Sequence, residues 1–274
     1  MNCNGKILSL EKPVVMGILN ITADSFYDGG KFSSDKSVIE QVSKMLTEGA
    51  SIIDLGASSS KPGSVAIDEK EEIQKIETVL KLLVKEFPTA IFSVDTFRVS
   101  VAEIAIHNGA GIINDISGGE VDAGMFPFIA KGKIPYIMMH MKSTPLTMQN
   151  NPHYEDVVKE VATYFQQKVN ELKSLGAIDI IIDPGFGFGK TPEHNYCILK
   201  NLFLFKKFEL PILAGLSRKS MINKVINASP NQALNGTSVV NTVALLNGAN
   251  ILRVHDVKEA MEAIKIVNFY NQQS

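Results

Sequence analysis

Eight short apolar runs, each followed by a longer stretch with helical spacing, constrain this chain more than any other feature. They are VVMGILNI from Val14, SIIDLG from Ser51, AIFSVD from Ala90, GIINDI from Gly111, IPYIMMHM from Ile134, DIIIDPG from Asp179, PILAGLS from Pro211 and NILRVHD from Asn250. Each is apolar on both faces, which is the pattern of a parallel strand covered by helices. Eight such βα units in 274 residues suit a closed (β/α)8 TIM barrel of the α/β class, typically about 250 residues long. An open doubly wound sheet has the same alternation, because pattern alone does not show closure.

The intervening segments carry apolar stripes. Ile73, Ile76, Leu80 and Leu83 form one, with Asp68 and Glu71 placed as a capping box and Pro88 beyond the end. Val157, Val161, Tyr164, Phe165, Leu172 and Leu175 form a second, stopped by Gly176. Val239, Val240, Val243 and Leu246 form a third, stopped by Gly248. No linker, low-complexity tract or close repeat interrupts the alternation, so a single domain over residues 1–274 is expected, with residues 1–13 as an N-terminal extension of short strands.

Charge and cysteine content exclude several classes. A net charge of -2 offers no general basic surface, and no nucleic-acid partner is expected. Cys3 and Cys197 are too few and too far apart for a disulfide framework or a metal cluster. The opening MNCNGKILSLEKP lacks a signal-peptide core, and no apolar run approaches the ~20 residues that cross a bilayer. A soluble cytoplasmic protein without a membrane partner is the expectation.

The runs are apolar, but their C-terminal ends are polar. In order they deliver Asn20, Asp54, Asp95, Asn114 with Asp115, His140, Asp183, Ser217 with Lys219, and Arg253 with His255. In a barrel these ends converge on one face, where active sites are built. One such residue can simply satisfy a loop amide; a polar residue on every strand indicates a site. Carboxylates, amides and cations together suit a polar heterocycle joined to an anion. Gly29-Gly30, Gly118-Gly119 and GFGFGK follow strands and read as turns that also admit a ligand close to backbone. GFGFGK has the wrong spacing for a phosphate-binding P-loop.

Six segments in order resemble dihydropteroate synthase over nearly the whole chain. They are MGILNITADSFYDGG (Met16–Gly30), SVDTFR (Ser93–Arg98), INDISGG (Ile113–Gly119), DPGFGFGKT (Asp183–Thr191), SRKS (Ser217–Ser220) and RVHD (Arg253–Asp256). The resemblance implies a barrel, Mg²⁺ and a homodimer. It implies (7,8-dihydropterin-6-yl)methyl diphosphate and p-aminobenzoate as substrates, and sulfonamides as competitive analogues of the second. Asp183 would accept adjacent N–H groups of the pterin, Asn114 would donate to and accept from the ring, and Asp95 would meet a ring N–H. Lys219 would donate to the ring, with Met138, Phe188 and Gly215 lining the same pocket. Arg253 would cross the ring and point its fork at the diphosphate. Asn20, Ser60, Lys61 and His255 complete the diphosphate end, with Asn20 on the metal. Ser60, Lys61, Pro62, Phe188 and Ser220 would hold p-aminobenzoate, Ser220 taking its carboxylate at a helix start.

The implied chemistry uses Asp95, Lys219, Arg253 and His255 as catalytic groups. The bond to diphosphate breaks first, the dihydropterin spreads the positive charge, and the arylamine then attacks. The first loop, Asp24–Gly30, would close over the cation and exclude water. No Ser–His–Asp or Cys–His pattern suggests covalent catalysis.

One segment departs from the family. Where the family has Ser-Thr-Arg before Pro-Gly, this chain has Ser59-Ser60-Lys61 before Pro62-Gly63. Lys61 keeps the charge and loses the planar fork, which reads either as lineage variation or as an altered p-aminobenzoate pocket. A pterin-binding methyl-transfer barrel and a catalytically silent pterin-binding paralogue are the alternatives; the arylamine loops and SRKS argue against the first, the intact polar set against the second. His107, His153 and His194 read as surface or capping residues, His140 is ambiguous, and Asp68–Glu72 reads as a solvated face.

Overall fold

A computed structural model describes residues 1–21, 31–57, 67–142 and 152–273, the side chains of residues 31–34 excepted. A two-stranded hairpin of β1 (Asn2–Cys3) and β2 (Lys6–Ile7) precedes β3 (Val14–Asn20), α1 (Lys31–Glu48), β4 (Ile52–Gly56) and α2 (Glu69–Glu86). Then follow β5 (Ile91–Asp95), α3 (Val99–His107), β6 (Ile112–Asp115), α4 (Met125–Gly132), β7 (Tyr136–Met139), α5 (Val157–Ser174), β8 (Ile180–Asp183) and α6 (Pro192–Lys200). The chain continues through β9 (Leu213–Ala214), α7 (Ser220–Ile226), α8 (Leu234–Leu246), β10 (Ile251–Val254) and α9 (Val257–Asn271).

The eight long-range strands pair in parallel in the order β8-β7-β6-β5-β4-β3-β10-β9. A further parallel bridge from Ile182 to Ile212 joins the two ends. Closure excludes the open doubly wound sheet and leaves a nearly closed (β/α)8 barrel.

The strands sort their side chains with period two. Val15, Leu55, Phe92, Val94, Ile113, Tyr136, Met138 and Ile182 pack outward against the helix layer. Met16, Ile52, Ile91, Ile112, Ile137, Ile181, Leu213 and Ile251 point inward and fill the N-terminal half of the barrel. The hairpin closes that end from below: Cys3 and Leu8 are buried in the same inner cluster. Lys6 Nζ donates to the Ala90 carbonyl at 2.6 Å, and Asn4 Nδ2 to the Ala110 carbonyl at 3.3 Å. The bottom of the barrel is thus apolar and sealed, so only its C-terminal mouth is open to polar chemistry.

The helices follow most of their stripes, but Leu175 at the end of α5 is exposed, and α2 and α8 depart from expectation in part. In α2, Ile76, Leu80 and Leu83 are buried as expected, and Asp68 caps the helix through the Lys70 amide. Glu71 does not complete the capping box; it pairs with Lys75 at 2.7 Å. Gly176 ends α5 at φ +96°, a conformation in which glycine carries no Cβ penalty. Glu72 is not on a solvated face. It is 1% exposed, because it turns under the end of β5 to accept from Thr96 Oγ1 at 2.8 Å and to pair with Arg98. In α8 the buried face is Gly236, Thr237, Val240, Asn241, Ala244 and Leu245. Val239, Val243 and Leu246 are exposed. This helix is apolar on two sides, and spacing alone selected the outer one.

Gly111 shows how tightly the hairpin plug fits. A Cβ there would lie 2.7 Å from Cys3 Cβ and 2.9 Å from the Cys3 carbonyl. Gly111→Ala is therefore expected to lift the hairpin and lower stability by about 1–3 kcal/mol, the usual cost of overpacking. Chemical denaturation checks this; an unchanged midpoint would show that the plug yields freely.

Candidate active site

The inward stripes change character as they rise. Above the apolar layers, β4 presents Asp54, β5 presents Asp95, β6 presents Asn114, β8 presents Asp183 and β10 presents Arg253. Register keeps Asp95 beside Asn114, and Gly56 beside both Asn20 and Asp95. Of the polar strand ends read from the sequence, Asp54, Asp95, Asn114, Asp183 and Arg253 converge on one mouth, whereas Asp115 turns outward and accepts from Tyr136 Oη at 2.7 Å.

Arg253 stands at the centre. Its Nε donates to Asp54 Oδ2 at 2.7 Å and its Nη2 to Asp95 Oδ2 at 3.0 Å. Asn114 Nδ2 donates to the same Asp54 oxygen at 3.1 Å. Burial works against the charge on Arg253, but the two carboxylates outweigh it and hold the guanidinium above its ordinary value. Asp95 loses more by burial than Arg253 returns, and with Asp54 and Asp115 also nearby its carboxyl is pushed up to about 7. Asp54 is fully buried, and among the described residues its Oδ1, like the neighbouring Ser93 Oγ, has no protein partner. In the sequence Asp54 is a polar strand end with no legible role; only the closed barrel reveals its two contacts.

Asp183 and Lys219 face the mouth from the other side. Asp183 Oδ1 accepts from the Gly185 amide at 2.8 Å. Burial raises its carboxyl, and the Lys219 charge partly counters the shift. Lys219 donates to the Phe186 carbonyl and lies 4.7 Å from the centre of the Phe188 ring. Burial lowers its ammonium to about 8. Gly215 sits beside it: a Cβ there would stand 3.6 Å from Lys219 Nζ. Phe188 packs with Met139, Met141 and Ile116 in a small apolar cluster at the mouth, joined by Phe97.

Met138 does not belong to that cluster. It is fully buried in the outer core between strand and helices. Met139, paired in register with Asp183, is the methionine on the inner side. Period-two alternation fixes this, and a one-residue error in choosing the inward parity moves a side chain through the wall.

Buried contacts hold the loops. Lys190, the last residue of GFGFGK, donates to the carbonyls of His140, Gly185 and Phe188 at 3.0–3.3 Å and lies 3.1 Å from His140 Nδ1. This lysine ties the loop carrying Phe188 to the end of β7. It fills a structural position, and His140 is its partner: burial and the Lys190 charge hold that imidazole well below its usual range. Arg218 and Asp256 form a two-pronged pair at 2.9 and 2.8 Å that locks SRKS onto RVHD. Ser217 Oγ lies 3.0 Å from His255 Nδ1. Partial desolvation of its ring and the Arg253 charge lower the His255 imidazole, although one edge is open to solvent. His255, Asn20 and Ser220 are exposed at the rim, Ser220 as the first residue of α7. His194 completes a capping box with Thr191 at the start of α6, as expected of a capping residue. Ser60, Lys61, Pro62 and the first loop Asp24–Gly30 lie outside the described residues.

Residues 16–255 match the family described as pterin binding enzyme. The dihydropteroate synthase of Escherichia coli strain K12 is 41% identical over 265 residues, covering 96% of this chain and 93% of that protein. This chain belongs to the dihydropteroate synthase family. The Haemophilus influenzae dihydropteroate synthase is also 41% identical, with 96% of each chain covered. Among solved structures, the Yersinia pestis dihydropteroate synthase in a sulfonamide drug complex superposes with a TM-score of 0.92 at 38% identity, covering 100% of this chain and 99% of that one. The Xanthomonas albilineans dihydropteroate synthase in complex with 7,8-dihydropteroate gives 0.88 at 33% identity, again covering 100% and 99%.

The raised Asp95 carboxyl has a consequence for stability. A carboxyl whose folded pKa lies above its unfolded value adds stability below the unfolded value, and that contribution is lost as pH rises through about 7. Asp95→Asn removes the titration. The melting temperature of the variant, relative to wild type, should therefore move in the variant's favour between pH 4 and pH 7.5. A difference that stays flat across that range, followed by calorimetry, would contradict the assigned shift.

Proposed function

We propose that this chain is a dihydropteroate synthase that condenses (7,8-dihydropterin-6-yl)methyl diphosphate with p-aminobenzoate, giving 7,8-dihydropteroate and diphosphate in folate biosynthesis. The observation that carries the reading is the ring of Asp54, Asp95, Asn114, Asp183, Lys219 and Arg253 at the mouth of the barrel. Its acceptors suit the N–H edge of a pterin and its cations suit ring oxygen and diphosphate. Full-length similarity to dihydropteroate synthases, one solved with its product, supports the same substrates.

In this reading Asp183 accepts from the amino-pyrimidine edge, Asn114 reads the second ring and Asp95 lies toward the reacting methylene. Phe188, Met139 and Gly215 contact the ring faces. Arg253 and His255 take the leaving diphosphate, Asn20, Ser60 and Lys61 its outer oxygens. Arriving phosphate charge returns His255 toward its protonated form. The methylene carbon–oxygen bond breaks with its electron pair going to diphosphate. Asp95, whose proton passes to water as the ring N8–H donates to it, stabilises the cationic pterin. The amine lone pair then forms the carbon–nitrogen bond, and one amine proton passes to water. Ser60, Lys61, Pro62, Phe188 and Ser220 hold p-aminobenzoate for that attack. Sulfonamides would compete there.

Mg²⁺ fits this site only together with the substrate. Asn20 offers one neutral hard oxygen beside Gly56 and Asp95, and among the described residues no group of three His, Cys, Asp or Glu side chains could hold a metal alone. Magnesium commonly binds through few protein ligands plus phosphate oxygens. When bound, it would neutralise charge on the departing diphosphate.

A homodimer is part of the proposal. Val239, Val243 and Leu246 on α8 and Ile266, Phe269 and Tyr270 on α9 are exposed on two helices packed side by side. An apolar face of this kind suits a second copy of the chain. Among the described residues no helix is long and apolar enough to cross a membrane.

Two experiments test the reading. The purified protein, incubated with Mg²⁺, the pterin diphosphate and p-aminobenzoate, should form dihydropteroate, and Asp95→Asn should lower kcat by roughly 10²–10³-fold with the fold intact. No product, or near-normal turnover in the variant, would contradict the activity or the role of Asp95 respectively. Light scattering should give a dimer mass for wild type and a monomer mass for Val243→Glu/Phe269→Glu; a dimer that survives both charges uses another surface.

A further inference from the structure

Asp54 touches none of the atoms that react in the mechanism above, yet it is the most completely buried charged group of the mouth. Its Oδ2 serves two donors, Arg253 Nε at 2.7 Å and Asn114 Nδ2 at 3.1 Å. Guanidinium nitrogen has no lone pair to offer, so that oxygen is an acceptor in the Arg253 contact. Asn114 can meet the same oxygen only with its NH2 end. A side-chain amide has two faces of opposite character, and which one turns toward a ligand is ordinarily open. Here one carboxylate oxygen decides it: the NH2 goes to Asp54 and the amide oxygen turns the other way. Asn114 is 3% exposed, and a flipped amide would set its oxygen against Asp54 Oδ2, two acceptors face to face with only Arg253 Nε still donating to the carboxylate.

The ring recognised in this site changes character with oxidation state. A 7,8-dihydropterin carries a hydrogen on N8. In the fully oxidised pterin the same nitrogen is a bare acceptor. An amide oxygen locked toward the ring rewards the first and opposes the second, because two facing acceptors leave buried lone pairs unpaired.

We propose that Asp54 is a positioning and specificity-determining residue, which fixes the amide orientation of Asn114 so that its oxygen accepts the N8 hydrogen together with the neighbouring Asp95 and the site selects dihydropterin over oxidised pterin. The proposal rests on the pterin-binding reading above. Asp54 acts through Asn114 and, by the same oxygen, holds Arg253 in the mouth. Asp54→Asn can retain the device, since its amide oxygen can occupy the Oδ2 position and accept from both partners. Its NH2 then falls at the Oδ1 position beside Ser93 Oγ, where among the described residues neither oxygen has a protein partner. Asp54→Ala removes the acceptor and frees Asn114 to turn over.

The test measures dissociation constants for 7,8-dihydropterin and for oxidised pterin by titration calorimetry on wild type, Asp54→Asn and Asp54→Ala. Circular dichroism and melting temperature confirm the fold. Wild type should prefer dihydropterin by at least about tenfold. Asp54→Asn should keep that ratio even if its absolute affinities fall, and Asp54→Ala should bring it close to one. A merely structural role would weaken both ligands in parallel and leave the ratio untouched, which would overturn the proposal. Loss of the ratio in Asp54→Asn would also overturn it, by assigning the effect to charge. Should Asp54→Ala fail to fold, the wild-type protein still decides through the side-chain NH2 resonances of Asn114. One proton should be shifted well downfield by the carboxylate; two ordinary resonances would contradict the orientation. Dihydropteroate formation by wild type is measured alongside. Product with no redox-state preference sinks this inference alone, whereas absence of product sinks the reading on which it rests.

Discussion

The mouth of this barrel is organised by one guanidinium. Arg253 reaches from the last barrel strand to Asp54 on the second and Asp95 on the third, contacts separated by 199 and 158 positions in the chain. They form only because β10 pairs with β3 and closes the first strands onto the last. Buried ion pairs are poor investments in stability, since desolvation removes much of the Coulombic gain. Two bare carboxylates at this depth would be worse, and Arg253 is what makes Asp54 and Asp95 tolerable so close together. The site's charge pattern, and with it the proposed chemistry, depends on that interaction.

Around it the charges are held ready rather than satisfied. Asp95 and Asp183 are raised by burial, and Lys219 is lowered by the same cause. Each has one protein contact, Asp95 with Arg253, Asp183 with the Gly185 amide and Lys219 with the Phe186 carbonyl, and a pterin would add further N–H donors for the carboxylates and a ring oxygen for the ammonium. Perturbed groups of both signs gathered in one cleft are typical of functional sites. The apolar floor beneath them, sealed by the hairpin, keeps water from relaxing the perturbation, and Lys190 holds the Phe188 loop in place at the rim.

Much of this was legible in the sequence, for physical reasons that also explain what was not. All eight strands fall inside their apolar runs, because a parallel strand buried on both faces leaves a compact signal with polar punctuation at its end. The six motifs identified the mouth for the same reason: strand ends converge whatever the helices do. Side-chain parity was not legible. Met138 and Met139 are equally apolar, and only register with Asp183 shows which one points inward. Helix faces failed in the same way at Val239 and Val243, where α8 is apolar on two sides. Glu72 lay within a charged run and was read as solvated, because nothing local announces Thr96 and Arg98 overhead. Asp54 was named without a role, since its partners sit on strands far along the chain.

The proposed reading holds that desolvated carboxylates at the mouth await the N–H donors of a pterin. Proton linkage tests that most directly. Dihydropterin without its diphosphate is titrated at pH 7 in buffers of different ionisation enthalpy, so that His255 and the diphosphate rim stay out of the balance. Donation from the ring to Asp95 favours its ionised form, so binding should release a substantial fraction of a proton, more than the small uptake expected as Lys219 gains a partner. Binding with no net release, or with net uptake, would contradict it.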